Sequence, residues 1–491
     1  MAGDLIEPLL KKKVYVHGCP GCEQDRRKET YTGVPYKEFF FICIATLCTT
    51  LPISSLFPFL YFMIRDLHVA KRVEDIGFYA GFVGSAMMVG RIFTSILWGM
   101  VADRYGRKPV IMISIFSVII FNTLFGLSTT YWMALVTRFL LGFMNGILGS
   151  TKAYATEVGR EEHQALGLSI LSTTRGIGLV IGPAIGGFLS QPSEKFPNIF
   201  SKDSFWGRFP YFLPCFCISF LAACAFIACF WLPETLHKHG NNDMENRTTE
   251  TQGVCQIDPE LKENSENPEG RDFPSSENLL KNWPLMSAIM GYCVFSLLDM
   301  AFSEIFSLFA VSEKKYGGLS FSSADVGKVL SLTGFCLILY QLLLYPYFAR
   351  ISSPIGSARV ASVITIPLLA SFPFMTKLSG FILSFVVTCA SVLKNILSVT
   401  ILTSMNILQN NAVPQHQRGT ANGISVTAMS LFKAIAPACG GILFSWAQKR
   451  QHASFFPGDH MVFLVLNIVG FIGTLMTFKP FLALSSKKYA A

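Results

Sequence analysis

Seven ionisable side chains within long apolar runs of this 491-residue chain are candidates for chemistry: the cations Arg91, Arg138, Arg175, Lys394 and Lys433 and the acids Asp299 and Glu304. Charge placed in hydrocarbon is costly, so such residues default to roles in carrying or recognising charge. Asp299 and Glu304 are five residues apart, about 140° round a helix and ~7.5 Å along it, so a straight helix cannot aim both equally into one cavity. Asp299, near the middle of its run, is the candidate proton-coupling carboxylate, with Glu304 as its partner or gate. The alternative is a structural ion pair with an Arg or Lys from a neighbouring run. Cations outnumber acids, which suits an organic anion or zwitterion whose carboxylates Arg holds in a bidentate grip. Arg175, Lys394, Lys433 and Arg91 are therefore the substrate-binding candidates. Bare Zn²⁺ would call instead for His, Cys or several carboxylates.

A second pattern runs from Gly99 to Lys108, between two apolar runs. Its glycines permit a tight turn, and its alternating acid and base can lock helix ends in one conformation and release them in another. Gly99, Asp103, Arg104, Gly106, Arg107 and Lys108, together with Arg138, form the candidate conformational latch. This loop resembles the signature loop of the major facilitator superfamily. The equivalent stretch of the second half, Phe348 to Arg359, keeps Gly356 and Arg359 but has Ser353 where the acid would stand, so the latch is expected to be asymmetric. Gly178, Gly182 and Gly186 recur every four residues, with Arg175 three before the first, so all are expected near one helical stripe, and Pro183 and Gly187 are among them. Small residues at that spacing let helices approach closely. The Gly-Pro-x-x-Gly-Gly run resembles the superfamily's antiporter motif, which implies exchange rather than simple uptake. Gly182 to Gly187 also matches Ala436 to Gly441 at an offset near 250 residues, the mark of two related halves with a site between them.

Most of the 13 Cys lie in apolar runs, where Cys behaves as a small hydrophobe. The exceptions at metal spacing are Cys19 and Cys22, which with His237 and His239 would complete a four-ligand regulatory zinc site. No other cofactor is expected.

These residues must be positioned by membrane-spanning helices. The chain is 51% apolar and 14% charged, against about a quarter charged in soluble domains, and it contains roughly a dozen apolar runs long enough to cross a bilayer. The expected fold is an all-α membrane protein with twelve transmembrane helices in two six-helix bundles. The division is a cytosolic amino-terminal segment over 1–37, bundles over 38–232 and 284–482, a disordered cytosolic linker over 233–283 and a cytosolic tail over 483–491. Net charge is +9, yet Glu234 to Lys281 carries −6. The positive charge sits in short loops beside apolar runs, which argues for membrane orientation and against nucleic acid, and places both termini in the cytosol. Partners are then a small-molecule substrate, protons and membrane lipid, with the chain a monomer.

Cys19-Pro20-Gly21-Cys22, the Trp98 to Lys108 loop and Pro233-Glu234-Thr235-Leu236-His237 together resemble the zinc-induced facilitator-like family of plant major facilitators. The resemblance implies a proton-coupled exporter or antiporter of the vacuolar or plasma membrane, acting in zinc and iron homeostasis through chelators such as nicotianamine and phytosiderophores. Potassium/proton antiport and direct zinc transport are alternatives within transporters, and a non-transporting membrane metal sensor is an alternative outside them. No nucleophile elbow, phosphate loop or metal-hydrolase motif suggests an enzyme. Asn246-Arg247-Thr248 spells a glycosylation sequon in the middle linker. A cytosolic linker leaves it unmodified, so expression in a secretory host should give no mobility shift with endoglycosidase; a shift would reverse the proposed topology.

Overall fold

The computed structural model describes residues 15, 19–31, 33–236, 279–345, 347–348, 352–413, 418–451 and 458–482. The described residues are helical, without strands. Among the described residues, ten helices are long and apolar enough to cross a membrane. Helices Glu161–Leu189 and Asp459–Met476 bring the count to twelve and occupy the fifth and twelfth positions. The first six spans are Tyr36–Ser54, Ile76–Tyr105, Arg107–Gly126, Tyr131–Val158, Glu161–Leu189 and Phe212–Trp231. The second six are Trp283–Val311, Ser323–Leu344, Pro354–Lys377, Gly380–Asn411, Arg418–Gln448 and Asp459–Met476. A shorter helix, Pro20–Thr30, precedes them in a segment expected only to be cytosolic.

Several spans are interrupted. Pro52 lies near the end of span one, where the helix stops at Ser54 and resumes at Leu60. Span four breaks at 144–146. The Trp98 indole donates to the Phe143 carbonyl at 2.8 Å and the Gly146 amide donates to Ser114 Oγ at 3.1 Å, so side chains satisfy two of the groups that the broken helix leaves. Spans three and eight each contain a π-helical turn, at Val118–Asn122 and Tyr340–Leu344.

The two halves meet through span two on span eleven and span five on span eight. Each contact rests on glycine. A Cβ on Gly441 would collide with the Gly77 carbonyl, and one on Gly187 would stand 2.7 Å from Gly327 Cα. Such backbone approach maximises dispersion contact and leaves no room for side chains. The seam is fastened by polar groups at the same end. Lys449 Nζ pairs with Asp75 Oδ1 at 2.5 Å, and Lys195 Nζ donates to the Gly187 carbonyl and to Ser323 Oγ. Lys195 and Lys449 follow the two matching Gly-Pro motifs at the same offset, so the closure repeats the internal symmetry with different partners. Burial pushes the Lys195 ammonium down to about 8, which leaves it mostly charged at neutral pH.

This seam lies at the end remote from helix Pro20–Thr30. On span four, Gly149 faces open space, and so does Gly423 on span eleven. A Cβ at either glycine would meet no neighbour, in contrast to the close glycine contacts of the seam.

Within the first half, a Cβ on Gly142 would collide with the Met87 carbonyl, whereas one at Gly149 would meet nothing within 4 Å. Gly142→Ala is expected to cost about 1–3 kcal/mol through overpacking. Gly149→Ala is expected to be neutral or to stabilise by up to ~1 kcal/mol through higher helix propensity. Thermal unfolding of the purified protein in detergent checks both; equal midpoints for the two variants would refute the packing assignment.

Candidate functional site

The candidate charged residues form two groups, with Glu304 and Arg138 outside both, and the first draws on both halves. Arg175 on span five is exposed, while Gly178, three residues on, is buried. Arg175 therefore does not share the face of the glycine stripe. It is in electrostatic contact with Arg91 of span two, Lys152 of span four, Lys433 of span eleven and Tyr292 of span seven. Four cations from both halves thus converge on one space. Lys152 was not among the sequence candidates, although a Lys inside the fourth apolar run was the signal available. Tyr292, hydrogen-bonded to Asn406, adds a polar wall from the second half.

Asp299 is the carboxylate within reach of this group. Lys394 Nζ donates to its Oδ1 at 2.7 Å, Ser398 also hydrogen-bonds it, and Lys433 interacts with it electrostatically. The Asp299 side chain keeps 27% of its surface exposed while that of Lys394 keeps 1%, so the pair shows its acid to the cavity and its base to the protein. Lys394 also lies 4.2 Å from the Phe302 ring centroid. Its expected place as a free substrate cation is corrected: the ammonium is buried and already paired. The ion-pair alternative for Asp299 is what the geometry contains.

Glu304 faces elsewhere. It is 1% exposed, and its Oε2 has no hydrogen-bond partner. That oxygen stands 3.0 Å from where a Gly84 Cβ would be, and Pro437 packs on the same glycine. Glu304 therefore sits in the seam between spans two, seven and eleven, apart from the Asp299 cavity, as the helical angle required.

A second charged group ties together helix ends at the amino-terminal side of the membrane. Arg107 donates from Nη2 to Glu157 Oε1 at 3.0 Å and from Nη1 to Asp103 Oδ1 at 2.5 Å. Glu234 accepts the backbone amides of Arg107 and Lys108 at 2.9 and 3.1 Å, and Thr235 Oγ1 donates to Glu157 Oε2 at 2.6 Å. A carboxylate on two first-turn amides of span three caps that helix and complements its dipole. Gly106, at φ +118°, makes the turn into the helix, and a Cβ there would collide with Glu234. Sequence reasoning placed Glu234 in a motif without a role and passed over Glu157. Lys108 Nζ donates to the Phe230 carbonyl at 2.7 Å, while Asp103 and Arg104 are exposed. Gly99 is inside the helix with open space beside it, so Gly106 alone makes the turn.

Arg138 belongs to neither group. It is 2% exposed, donates to the Pro52 carbonyl at 2.8 Å and lies 4.1 Å from the Phe125 ring centroid. Its expected place in the latch is corrected: it satisfies the carbonyl beside the span-one break and fills the first-half core. The glycine motif likewise packs inside that half. Gly178, Gly182 and Gly186 abut Thr50, Ser54 and Ser55 of span one, and Ser54 Oγ donates to the Gly178 carbonyl at 2.8 Å. Only Pro183 and Gly187 reach the other half, against Gly327.

Among the described residues no group of three or more His, Cys, Asp or Glu is placed to hold a metal. Cys19 and Cys22 are buried at the start of the amino-terminal helix, and His237 and His239 lie outside the described residues. The Gly21 amide donates to the Leu236 carbonyl at 3.1 Å, which brings the Cys motif to the residue preceding His237.

Residues 42–437 match the Major Facilitator Superfamily. Protein ZINC INDUCED FACILITATOR-LIKE 1 of Arabidopsis thaliana is 54% identical, covering 98% of this chain and 99% of that one. Protein ZINC INDUCED FACILITATOR 1 of the same plant is 51% identical over 99% of this chain and 100% of its own. A third Arabidopsis relative, 54% identical over 98% of this chain and 99% of its own, is named a probable peptide/nitrate transporter. A crystal structure of a D-xylose-proton symporter, 14% identical, superposes with a TM-score of 0.66 over 90% of this chain and 97% of that one, which shows the shared fold. The chain is thus a multi-pass membrane transporter rather than an enzyme, a member of the major facilitator superfamily and, within it, of the zinc-induced facilitator-like family.

Proposed function

We propose that this transporter exchanges protons for a small carboxylate-bearing organic substrate, a metal chelator of the nicotianamine or phytosiderophore class, at the vacuolar or plasma membrane, with both termini cytosolic. The observation that carries the reading is the convergence of Arg91, Lys152, Arg175 and Lys433 on one space whose acid, Asp299, is already paired with Lys394. Cations held together in a low-dielectric setting repel one another, and a ligand with several carboxylates relieves that repulsion. Bare zinc would add to it.

Exchange follows if a proton and the substrate compete. Asp299 is the acid presented to the cavity, so a zwitterionic chelator would place its carboxylates on the four cations and its ammonium on Asp299. A proton arriving at Asp299 removes the charge that holds the ammonium. Glu304, unpartnered in the closed seam, is the second proton site in this reading: the seam closes over a carboxyl group that opening would hydrate. Each ligand then favours a different member of the two-state equilibrium. The Arg107–Glu157–Glu234 cluster acts as the latch at the cytosolic end.

The regulatory zinc site at Cys19, Cys22, His237 and His239 is part of the same proposal, supported by the contact of Gly21 with Leu236. Loss of both thiols should remove a metal response without removing basal flux.

Flux in sealed proteoliposomes under an imposed proton gradient tests the function, with labelled nicotianamine, Zn²⁺ and K⁺ offered in parallel. Chelator flux that dissipates the gradient is expected; proton exchange with K⁺ alone would overturn the substrate class. Asp299→Asn should abolish the proton dependence of chelator flux, and unchanged pH dependence would sink that assignment. Arg175→Gln and Lys152→Gln should each weaken apparent substrate affinity by roughly ten- to a hundred-fold, the worth of one hydrogen bond to a charged group. Normal affinity in both would show that the cations serve the fold alone.

A further inference from the structure

A separate cavity of about 950 Å³ lies outside the spans, between helix Pro20–Thr30, the start of span one and the turn after span four. Its walls carry five basic side chains, Arg26, Arg27, Lys28, Lys37 and Arg160, against two acidic ones, Glu23 and Glu38. Some of the bases are engaged within the protein. Arg160 donates to the carbonyls of Lys28 and Glu29, Lys28 pairs with Asp25 at 2.9 Å, and Arg27 approaches Glu38 at 3.6 Å. Arg26 and Lys37 have no ion-pair partner among the described residues, and one comes from the helix and the other from the start of span one. The cavity thus presents one cation from the amino-terminal helix and one from the start of span one, neither in an ion pair among the described residues, and a surplus of positive charge.

Its position identifies the environment. Lys37 is the second residue of a spanning helix, which puts it at the level of lipid headgroups. Tyr31 and Tyr36 line the cavity, and both are exposed together with Phe40, as in the aromatic belt of a membrane interface. Basic pockets at such a level accept phosphate-bearing headgroups, with Arg and Lys as the phosphate donors.

We propose that this cavity binds the phosphate-bearing headgroup of an anionic lipid between Arg26 and Lys37. The bound phosphate ties the amino-terminal helix to span one. That helix also holds Val158 and Leu236, through Gln24 and Gly21, so the lipid braces the side of the membrane on which the latch cluster lies. A free phosphorylated anion shares the chemistry but not the acyl chains, and the experiment separates the two.

The test is native mass spectrometry of the full-length protein in detergent, titrated with phosphatidylinositol 4-phosphate, with phosphatidylcholine of the same chains, and with soluble inositol 1,4-bisphosphate. The expected result is retention of the anionic lipid over phosphatidylcholine, reduced at least ten-fold in a double variant carrying Arg26→Gln and Lys37→Gln. The charge-preserving pair Arg26→Lys and Lys37→Arg should retain it, as should Lys314→Gln with Lys315→Gln at the far end of span seven. Thermal unfolding of each variant separates lost binding from lost folding; if the Gln pair unfolds, the single changes are read instead. Binding of the inositol phosphate as tight as that of the lipid would overturn the lipid in favour of a soluble phosphorylated anion. Equal retention of both lipids, or retention unaffected by the Gln pair, would overturn the site.

Discussion

The rest of the structure follows from one electrostatic constraint: Arg91, Lys152, Arg175 and Lys433 share a space within the membrane, and its acid is already committed to Lys394. Fixed like charges at close range in a poor dielectric would push the two halves apart. Three of the four belong to the first half and Lys433 to the second, so the repulsion acts across the boundary between the halves. Water in an open cavity screens it, and an anionic ligand neutralises it. An empty, dry cavity does neither.

Something must therefore hold the halves together without relying on charge balance in the middle, and the glycine seams supply it. Gly77, Gly81 and Gly441 let the backbones of spans two and eleven touch, and Gly187 and Gly327 do so for spans five and eight. Contact of this kind is non-directional dispersion, so it can be unmade without leaving polar groups unsatisfied. Within the seam the Ala438 amide donates to Ser85 Oγ at 2.8 Å, and at the rim Lys449 meets a carboxylate but Lys195 meets hydroxyl and carbonyl oxygens. The internal repeat is thus symmetric in its glycines and asymmetric in its charges, the asymmetry that Ser353 already showed at the opposite end.

How much of this was legible in the sequence depended on whether a feature is local. The spans, the repeat and the Gly106 turn were legible because hydrophobic run length and glycine punctuation are properties of consecutive residues. The separation of Asp299 from Glu304 was legible because helical geometry fixes the angle between them. Partnership was not. Lys394 looked like a free cation until the fold placed span ten against span seven, and Arg138 looked like part of a latch until Pro52 was brought to it by the bend in span one. Glu157 drew no reading and Glu234 stood only in a motif, because their meaning comes from amides and a guanidinium fifty to more than a hundred residues away. Lys152 was visible, but charge near the end of an apolar run reads equally well as a topological marker.

The linker boundary carries the same lesson into mechanism. Composition put residues 233–283 in a solvated connection, but Pro233–Leu236 is built into the first half: Glu234 caps span three, Thr235 holds Glu157 and Leu236 accepts the Gly21 amide. One short segment therefore touches the latch turn, span four and the amino-terminal helix together. Span four also carries Lys152, five residues before Glu157, and is interrupted at 144–146. A shift of that half-helix would move a cation in the cavity and an acid in the latch as one body, with the break absorbing the rotation. In the proposed mechanism, substrate charge at Lys152 would be linked to the ionic state of the latch through the twelve residues of helix Ile147–Val158, without any chain of side-chain contacts between them.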